Sequence, residues 1–507
     1  MTGQTSFAAL DERVAAVNDV LNAISVLTWD SRTMMPAGGA ETRGHQIATL
    51  TRLARDLLLA PETEAALADA ERAADTLPED APERRMVAQT RHAFEHHRRV
   101  PASLIQERAA LRTLAQAAWI EARATGDFPL FAPFLARTVE LSRAYADCIG
   151  WSEHPYDAMV SIYEPGETTA SLKRLFATLR ESLQPILDAA RARPAPQSDF
   201  LFGDFPEEAQ KAFGLSMAET LGYDLRRGRL DTTVHPFEVS FTRNDVRITT
   251  RYTRNYLPAS VFGTAHEVGH GLYEQGVDPA YTRTALATDL VGLYAVGGTS
   301  FGAHESQSRL WENHVVRSRT FWELHFPELQ RHFPGRLEDV SAEDFYRAVT
   351  RVEPGLIRVE ADELTYDFHI MMRTDLECAL MDGSLAVADL PAAWNAAIKR
   401  DLGLDVPDDS RGVLQDVHWS TGYIGSFPTY TIGNVMAAQV MDTLRGEDPA
   451  IDASVAAGDY AVLAEALRTR IWQHGRRFGR DELLVRETGR GLDPAPYLAY
   501  LEGKYAD

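Results

Sequence analysis

His266-Glu267-Val268-Gly269-His270 brings two imidazoles and a carboxylate together in one short run. On a helix of 3.6 residues per turn, His266 and His270 stand one turn apart on a shared face, with Glu267 at its edge. Imidazoles at that spacing hold zinc, and the adjacent carboxylate can take a proton from an activated water. The chemistry indicated is metal-assisted hydrolysis. Paired helical histidines are more often packing or surface groups. With only 15 histidines in 507 residues, however, meeting this full pattern by chance is improbable.

A catalytic zinc site needs three protein ligands and an open position. The motif extension that adds a glycine and a third histidine is absent, because Tyr273 and Gly276 occupy those places. A downstream acid is therefore expected. After Gly297 and Gly298, Thr299 or Ser300 can cap a helix carrying His304, Glu305, Ser308, Arg309 and Glu312. Spacing leaves Glu305 and Glu312 as equal candidates, each weighed against the solvated surface where most glutamates sit.

Pro258 and Ser260 supply helix-start chemistry and Gly276 a stop, which places the motif inside a helix of ordinary length. Val261, Ala265, Val268 and Leu272 form an apolar stripe for the core, leaving Phe262, His266, Gly269, His270 and Tyr273 to face a cavity. Upstream, between Thr232 and Tyr252, two alternating runs flank the turn Arg243-Asn244-Asp245. They are Phe237, Val239 and Phe241, then Val246, Ile248 and Thr250, and they predict a β-hairpin. Its edge could pair with an extended peptide or be purely structural.

Elsewhere Ala, Leu, Arg and Glu recur at helical spacing, so the fold is expected to be mainly α. Leu172, Leu175, Phe176, Leu179, Leu183, Ile186 and Leu187 form one stripe, which Pro185 should kink or end. Residues 64–74 and 103–125 read as long, partly exposed helices, and residues 192–206 as a loop or lobe junction. A 45% hydrophobic composition can bury a large core. Acidic residues outnumber basic ones 73 to 51, and the net charge of −22 opposes binding to nucleic acid or anionic membranes. Cys148 and Cys378 are the only cysteines, which leaves no disulfide framework and fits a reducing compartment. Met1 to Leu21 lacks a secretory pattern, and no apolar run reaches membrane-spanning length. A cytoplasmic protein is expected.

Further segments accompany the motif. In order they are His235-Pro236-Phe237, Asp245-Val246-Arg247-Ile248-Thr249, His304-Glu305-Ser306-Gln307, Ile357-Arg358-Val359-Glu360-Ala361-Asp362, and Gly412-Val413-Leu414-Gln415-Asp416-Val417-His418-Trp419. With Leu27-Thr28-Trp29-Asp30 and His154-Pro155-Tyr156-Asp157 ahead of them, the chain resembles the carboxypeptidase Taq family of metallocarboxypeptidases along nearly its whole length. The resemblance implies one catalytic domain over residues 1–507, made of two helical lobes: a bilobed, helical zinc-peptidase fold with a deep active-site groove. It also implies a homodimer, removal of single residues from peptide C-termini with broad specificity, and zinc that cobalt can replace. It assigns Glu305 as the third ligand, with His304 as a supporting neighbour. Ser426 departs from the tyrosine that many relatives carry there.

The expected mechanism follows. His266, His270 and Glu305 hold the metal, Glu267 is the general base, and His418 and Tyr430 donate to the oxyanion, with Tyr423 as the competing phenol. Recognition of a free C-terminus calls for a planar guanidinium. Arg358 is the leading candidate, set against a commonplace helical pair with Asp362, while Arg247, Gln415 and His235 are lesser contributors to the substrate site. The rival readings are a zinc endopeptidase or dipeptidase, and a non-catalytic scaffold with a structural metal.

Overall fold

The computed structural model describes residues 3–506, so the start of the Met1–Leu21 stretch lies outside it. The protein is mainly helical with a small three-stranded sheet, as the patterning predicts. Among the described residues no helix is long and apolar enough to cross a membrane. The chain forms two compact units. The first comprises Met1–His97, Pro196–Val349 and Ala437–Leu492; the second comprises Arg98–Ala195, Thr350–Met436 and Asp493–Asp507. One crossing, Ala195 to Pro196, falls inside the loop expected over 192–206.

In the first unit, the long helix α1 (Gly3–Thr33) buries Leu10, Val14, Val17 and Leu21, spaced by three and four residues, in a core shared with Leu58, Leu67 and Phe94. The sheet has the order β1 (Gly228–Thr232), β3 (Asp245–Thr250), β2 (Glu238–Thr242). β1 runs parallel to β3 and β2 antiparallel to it, with Val239 opposite Arg247 and an irregularity between Ser240 and Thr242. The predicted hairpin is β2–β3. β1 was not foreseen because Leu230 is its sole apolar residue, too little for a period-two signal.

β2 places polar side chains on the side of the metal-motif helix: Glu238 and Ser240 are the ones turned toward it, Ser240 Oγ lying 3.0 Å from Glu274. Phe241 instead lies under the Arg247 guanidinium, which also covers Trp29 of α1. That helix, α2 (Pro258–Gly276), has the predicted bounds. Pro258 starts it, but Ser260 does not cap it: its hydroxyl donates to Gln210 Oε1. A shorter helix, α3 (Phe301–Arg309), begins at Ser300, whose hydroxyl accepts from the Ala303 amide, and passes into a π-helical turn over Leu310–Val316. Such wide turns recur at functional sites.

In the second unit, helix Thr169–Ala192 runs through Pro185, which does not end it. Pro185 and Glu181 are both exposed, so water can satisfy the carbonyl that loses its amide partner. Leu172, Phe176, Leu179 and Leu183 form the buried stripe. Helix α4 (Tyr366–Asp382) is buried on nearly every side, charged residues Arg373 and Glu377 included.

Candidate metal centre

The predicted core stripe of α2 is buried, from Val261 through Leu272. The opposite face is more enclosed than a cavity wall should be, since Phe262 and Tyr273 are buried as well. Gly269 explains how α3 comes so close. A Cβ at that position would stand 2.5 Å from the Gln307 carbonyl oxygen and 2.6 Å from Ser308 Cα. The glycine inside the motif therefore lets the α3 backbone lie directly on α2, bringing Glu305 to the histidines.

His266, His270 and Glu305 offer ligand atoms that all lie within 4.8 Å of one another. Glu305 Oε2 is 3.5 Å from His266 Nε2 and 3.4 Å from His270 Nε2. Bonds of ~2.0–2.1 Å to a tetrahedral ion imply ligand–ligand edges of about 3.3–3.4 Å. A zinc-sized ion therefore fits the separations and the donor types. The spacing ambiguity resolves into two positions: Glu305 joins the cluster, whereas Glu312 accepts from His266 Nδ1 at 3.0 Å. That bond keeps a proton on Nδ1; burial lowers His266 but Glu305 and Glu312 outweigh it and raise it, and a bound cation would take the place of the proton on Nε2. Glu312 also accepts from Arg309 and Arg317, and Glu305 from Arg309.

Burial raises both Glu305 and Glu312, but His266 and Arg309 outweigh it at Glu305, and Arg309 and His266 outweigh it at Glu312, holding both below the ordinary carboxylate range. Burial drives His270 down to about 3, so it is a neutral donor. At Glu267 the nearby His266 does not offset burial. Glu267 is 5% exposed, its Oε2 has no hydrogen bond, and burial, with Glu305 and Glu312, pushes it up to about 8. Glu238, also lacking a partner for Oε1, is raised by burial and by Glu274 and Glu267. Buried orphan carboxyl oxygens are costly unless a cation or proton meets them.

The remaining expected residues lie outside this cluster. In the first unit, His235 is exposed ahead of β2, and Arg247 is committed to Asp245 at 2.8 and 2.9 Å. The other expected residues belong to the second unit. Arg358 does not pair with Asp362, which caps Thr365; its Nε and Nη2 donate to Asp416 Oδ1 and its Nη1 to the Tyr366 hydroxyl. A three-residue 3-10 turn at 358–360 replaces the α-helix that the Asp362 pairing needed. Arg373 donates to the other oxygen of Asp416 and to Gln415 Oε1, so two guanidiniums share one carboxylate. Gln415 accepts from the Arg358 amide too.

His418 Nε2 and the Tyr430 hydroxyl are 3.2 Å apart. Burial and Arg358 lower His418 to about 3, which keeps it neutral. Tyr423 packs edge-on to Tyr163, and Ser426 is buried with its hydroxyl directed to the Tyr423 carbonyl. Sequence reasoning missed Arg373, Glu238 and Glu274. Glu274 alone left a signal, four residues beyond His270 and so on the same helical face.

A family model described as carboxypeptidase Taq (M32) metallopeptidase matches residues 9–505. The thermostable carboxypeptidase 1 of Thermus thermophilus is 41% identical over 95% of this chain and 94% of its own. Carboxypeptidase 1 of Bacillus subtilis is 35% identical over 96% and 95%. The crystal structure of an M32 carboxypeptidase from Deinococcus radiodurans superposes with a TM-score of 0.93 at 41% identity, covering 99% of both chains.

Proposed function

Because the chain belongs to the carboxypeptidase Taq (M32) metallopeptidase family, and is with it a metallocarboxypeptidase and peptide hydrolase, we propose that it removes single residues of broad identity from peptide C-termini with a zinc ion, replaceable by cobalt, held by His266, His270 and Glu305. The observation that carries this reading is the ligand triangle beside the Glu267 carboxyl, whose Oε2 has no hydrogen bond. When bound, the divalent ion supplies Lewis acidity toward a carbonyl and a water. Glu267 takes the proton from the attacking water and returns it to the leaving amine nitrogen. A dication nearby favours its ionised form, offsetting the burial that pushes it up. His418 and Tyr430 are the proposed donors to the oxyanion, with Tyr423 the alternative phenol.

Arg358 is the proposed receptor for the free carboxylate. Asp416 already holds it in place, and Arg373 adds a second positive charge on that same aspartate. A carboxylate is thus the group whose arrival would balance the pair. Arg247 and His235 keep the smaller substrate-side roles expected from sequence, and Gln415 acts by holding Arg358 and Arg373. The reading takes the whole chain as one catalytic domain of two helical lobes, working as a cytoplasmic homodimer.

Mass spectrometry of peptide digests tests the direction of attack: sequential loss of single C-terminal residues supports the reading, and internal fragments sink it. Glu267→Gln should retain stoichiometric metal and lose about 10²–10⁴-fold in kcat. Residual turnover near the wild-type rate would remove Glu267 from the base role.

A further inference from the structure

The two histidine ligands are supported unequally. His266 is held directly by the Glu312 carboxylate, whereas His270 Nδ1 meets not a carboxylate but His304 Nδ1, 2.5 Å away. His304 Nε2 in turn lies 3.1 Å from Glu274 Oε1. We propose that His304 and Glu274 are positioning residues for His270, His304 acting as a hydrogen-bond relay that leaves the His270 Nε2 lone pair directed at the ligand cluster. The proposal rests on the metal-binding reading above.

Glu274 sets the direction of every proton in this chain. It is fully buried and is surrounded by donors: Arg243 Nη1 at 2.6 Å, Ser240 Oγ at 3.0 Å, and the amides of Gly297 and Gly298 at 2.9 and 3.1 Å. With Arg243 paired to it and its lone pairs taken up by donors, the carboxylate has no proton to give, so His304 Nε2 must be the donor. In the proposed relay the other ring nitrogen, Nδ1, is the acceptor. His270 must therefore carry its proton on Nδ1, which frees Nε2 on the side of Glu305.

The surroundings hold this relay in one orientation. Tyr273 stacks on the His304 ring at 5.2 Å and 23°. On the other side, a Cβ at Gly298 would come within 2.5 Å of His304 Cδ2. The glycine pair thus serves two ends, delivering amides to Glu274 and leaving room for the ring. Supporting groups of this kind orient a ligand and change metal affinity when removed.

The test uses substitutions at His304, since Glu274 variants leave Arg243 unpaired and risk the fold. His304→Gln preserves the relay, because a carboxamide carries one acceptor and one donor at nearly the imidazole spacing and cannot become cationic. His304→Phe keeps the stack on Tyr273 and removes both nitrogens. Zinc affinity is measured by chelator competition, the cobalt-loaded visible spectrum reports ligand geometry, and the apo melting temperature controls for folding. His304→Phe should bind zinc about 10–100-fold more weakly and alter the cobalt spectrum. His304→Gln should remain within about threefold of wild type, with an unchanged spectrum, as an intact relay requires. Equal affinity in His304→Phe and wild type overturns the proposal. So does an equal loss in both variants when their apo proteins melt like wild type. Should His304→Phe fail to fold, a large affinity loss in folded His304→Gln alone also overturns it. A wild-type protein that takes up no divalent ion, or a His270→Ala protein that still binds it normally, defeats instead the metal reading beneath it.

Discussion

The two units bury different balances of charge. Around α2 and α3, five carboxyl groups, Glu238, Glu267, Glu274, Glu305 and Glu312, meet three guanidiniums, Arg243, Arg309 and Arg317. In the second unit Arg358 and Arg373 share Asp416, with Gln415 as a neutral partner. The first cluster balances while Glu238 and Glu267, both raised by burial, keep their protons, and comes to two negative charges in excess if a bound dication draws both into ionisation. The second is one positive charge in excess, the charge of one carboxylate. Isolated charge is too costly to bury without a counter-charge or a proton, so each imbalance identifies the kind of group its site awaits.

Removing the cation is the harshest way to break this contrast. Chelation should abolish hydrolysis and lower the stability of the first unit. At a free ion concentration a thousand times Kd, the stabilisation lost is about 4 kcal/mol. Hydrogen exchange should quicken in α2 and α3 and stay unchanged in α4; equal loosening of α4 would mean that the ion does not answer the first unit's charge alone. In the second unit, Arg358→Met should cut kcat/KM for peptides with a free C-terminus by about 10²–10³-fold, the scale of a lost buried charge pair. Slow cleavage of the corresponding amides should change little, and an equal loss on both would contradict carboxylate capture.

Gly269→Ala probes the packing that assembles the anionic cluster. The added methyl meets the α3 backbone, so apo stability should fall by about 1–3 kcal/mol and metal affinity by about tenfold. Melting and chelator competition that match wild type would show that this contact does not set Glu305. The smallest expected effect concerns Glu377, which accepts from Tyr156, Trp419 and the Gly425 amide yet is pushed up to about 7 by burial. If it were ionised throughout, the surplus around Arg373 would vanish. A folded value above the ordinary 4.5 means that the native state holds the proton more tightly. Stability from this group is therefore present below pH 4.5 and is lost as pH rises toward 7, amounting to roughly a few kcal/mol. Urea unfolding between pH 5 and pH 7.5 should show this slope in wild type and not in Glu377→Gln; identical slopes would place the carboxylate, and its charge, in the cluster at all these pH values.

Helix bounds and the motif were legible because they depend on neighbours in the chain. Pro258 and Gly276 mark α2, the alternating runs mark β2 and β3, and the spacing from His266 to His270 is a property of one helix turn. Whether Pro185 ends its helix was not legible, because the cost of a proline depends on whether water reaches the freed carbonyl, which exposure decides and sequence does not. The inward face of β2 left no clear signal for a related reason: apolar alternation marks a face that can be buried, while Ser240 is drawn inward by Glu274 of α2 and Glu238 lies 3.9 Å from His304 of α3.

Sequence alone determined the hydrolytic motif, the helical class and, through its segments, the family. It left Glu305 and Glu312 equivalent by spacing and offered Asp362 as the one competing partner for Arg358. Tertiary structure separated the two glutamates by placing one oxygen near both Nε2 atoms and the other beside Nδ1. It also joined Arg358 to Asp416 across 58 positions of chain and Glu274 to His304 across 30. Helical periodicity carries information over one or two turns. Proton direction and charge balance are set by through-space contacts between distant segments, and only the folded chain decides those.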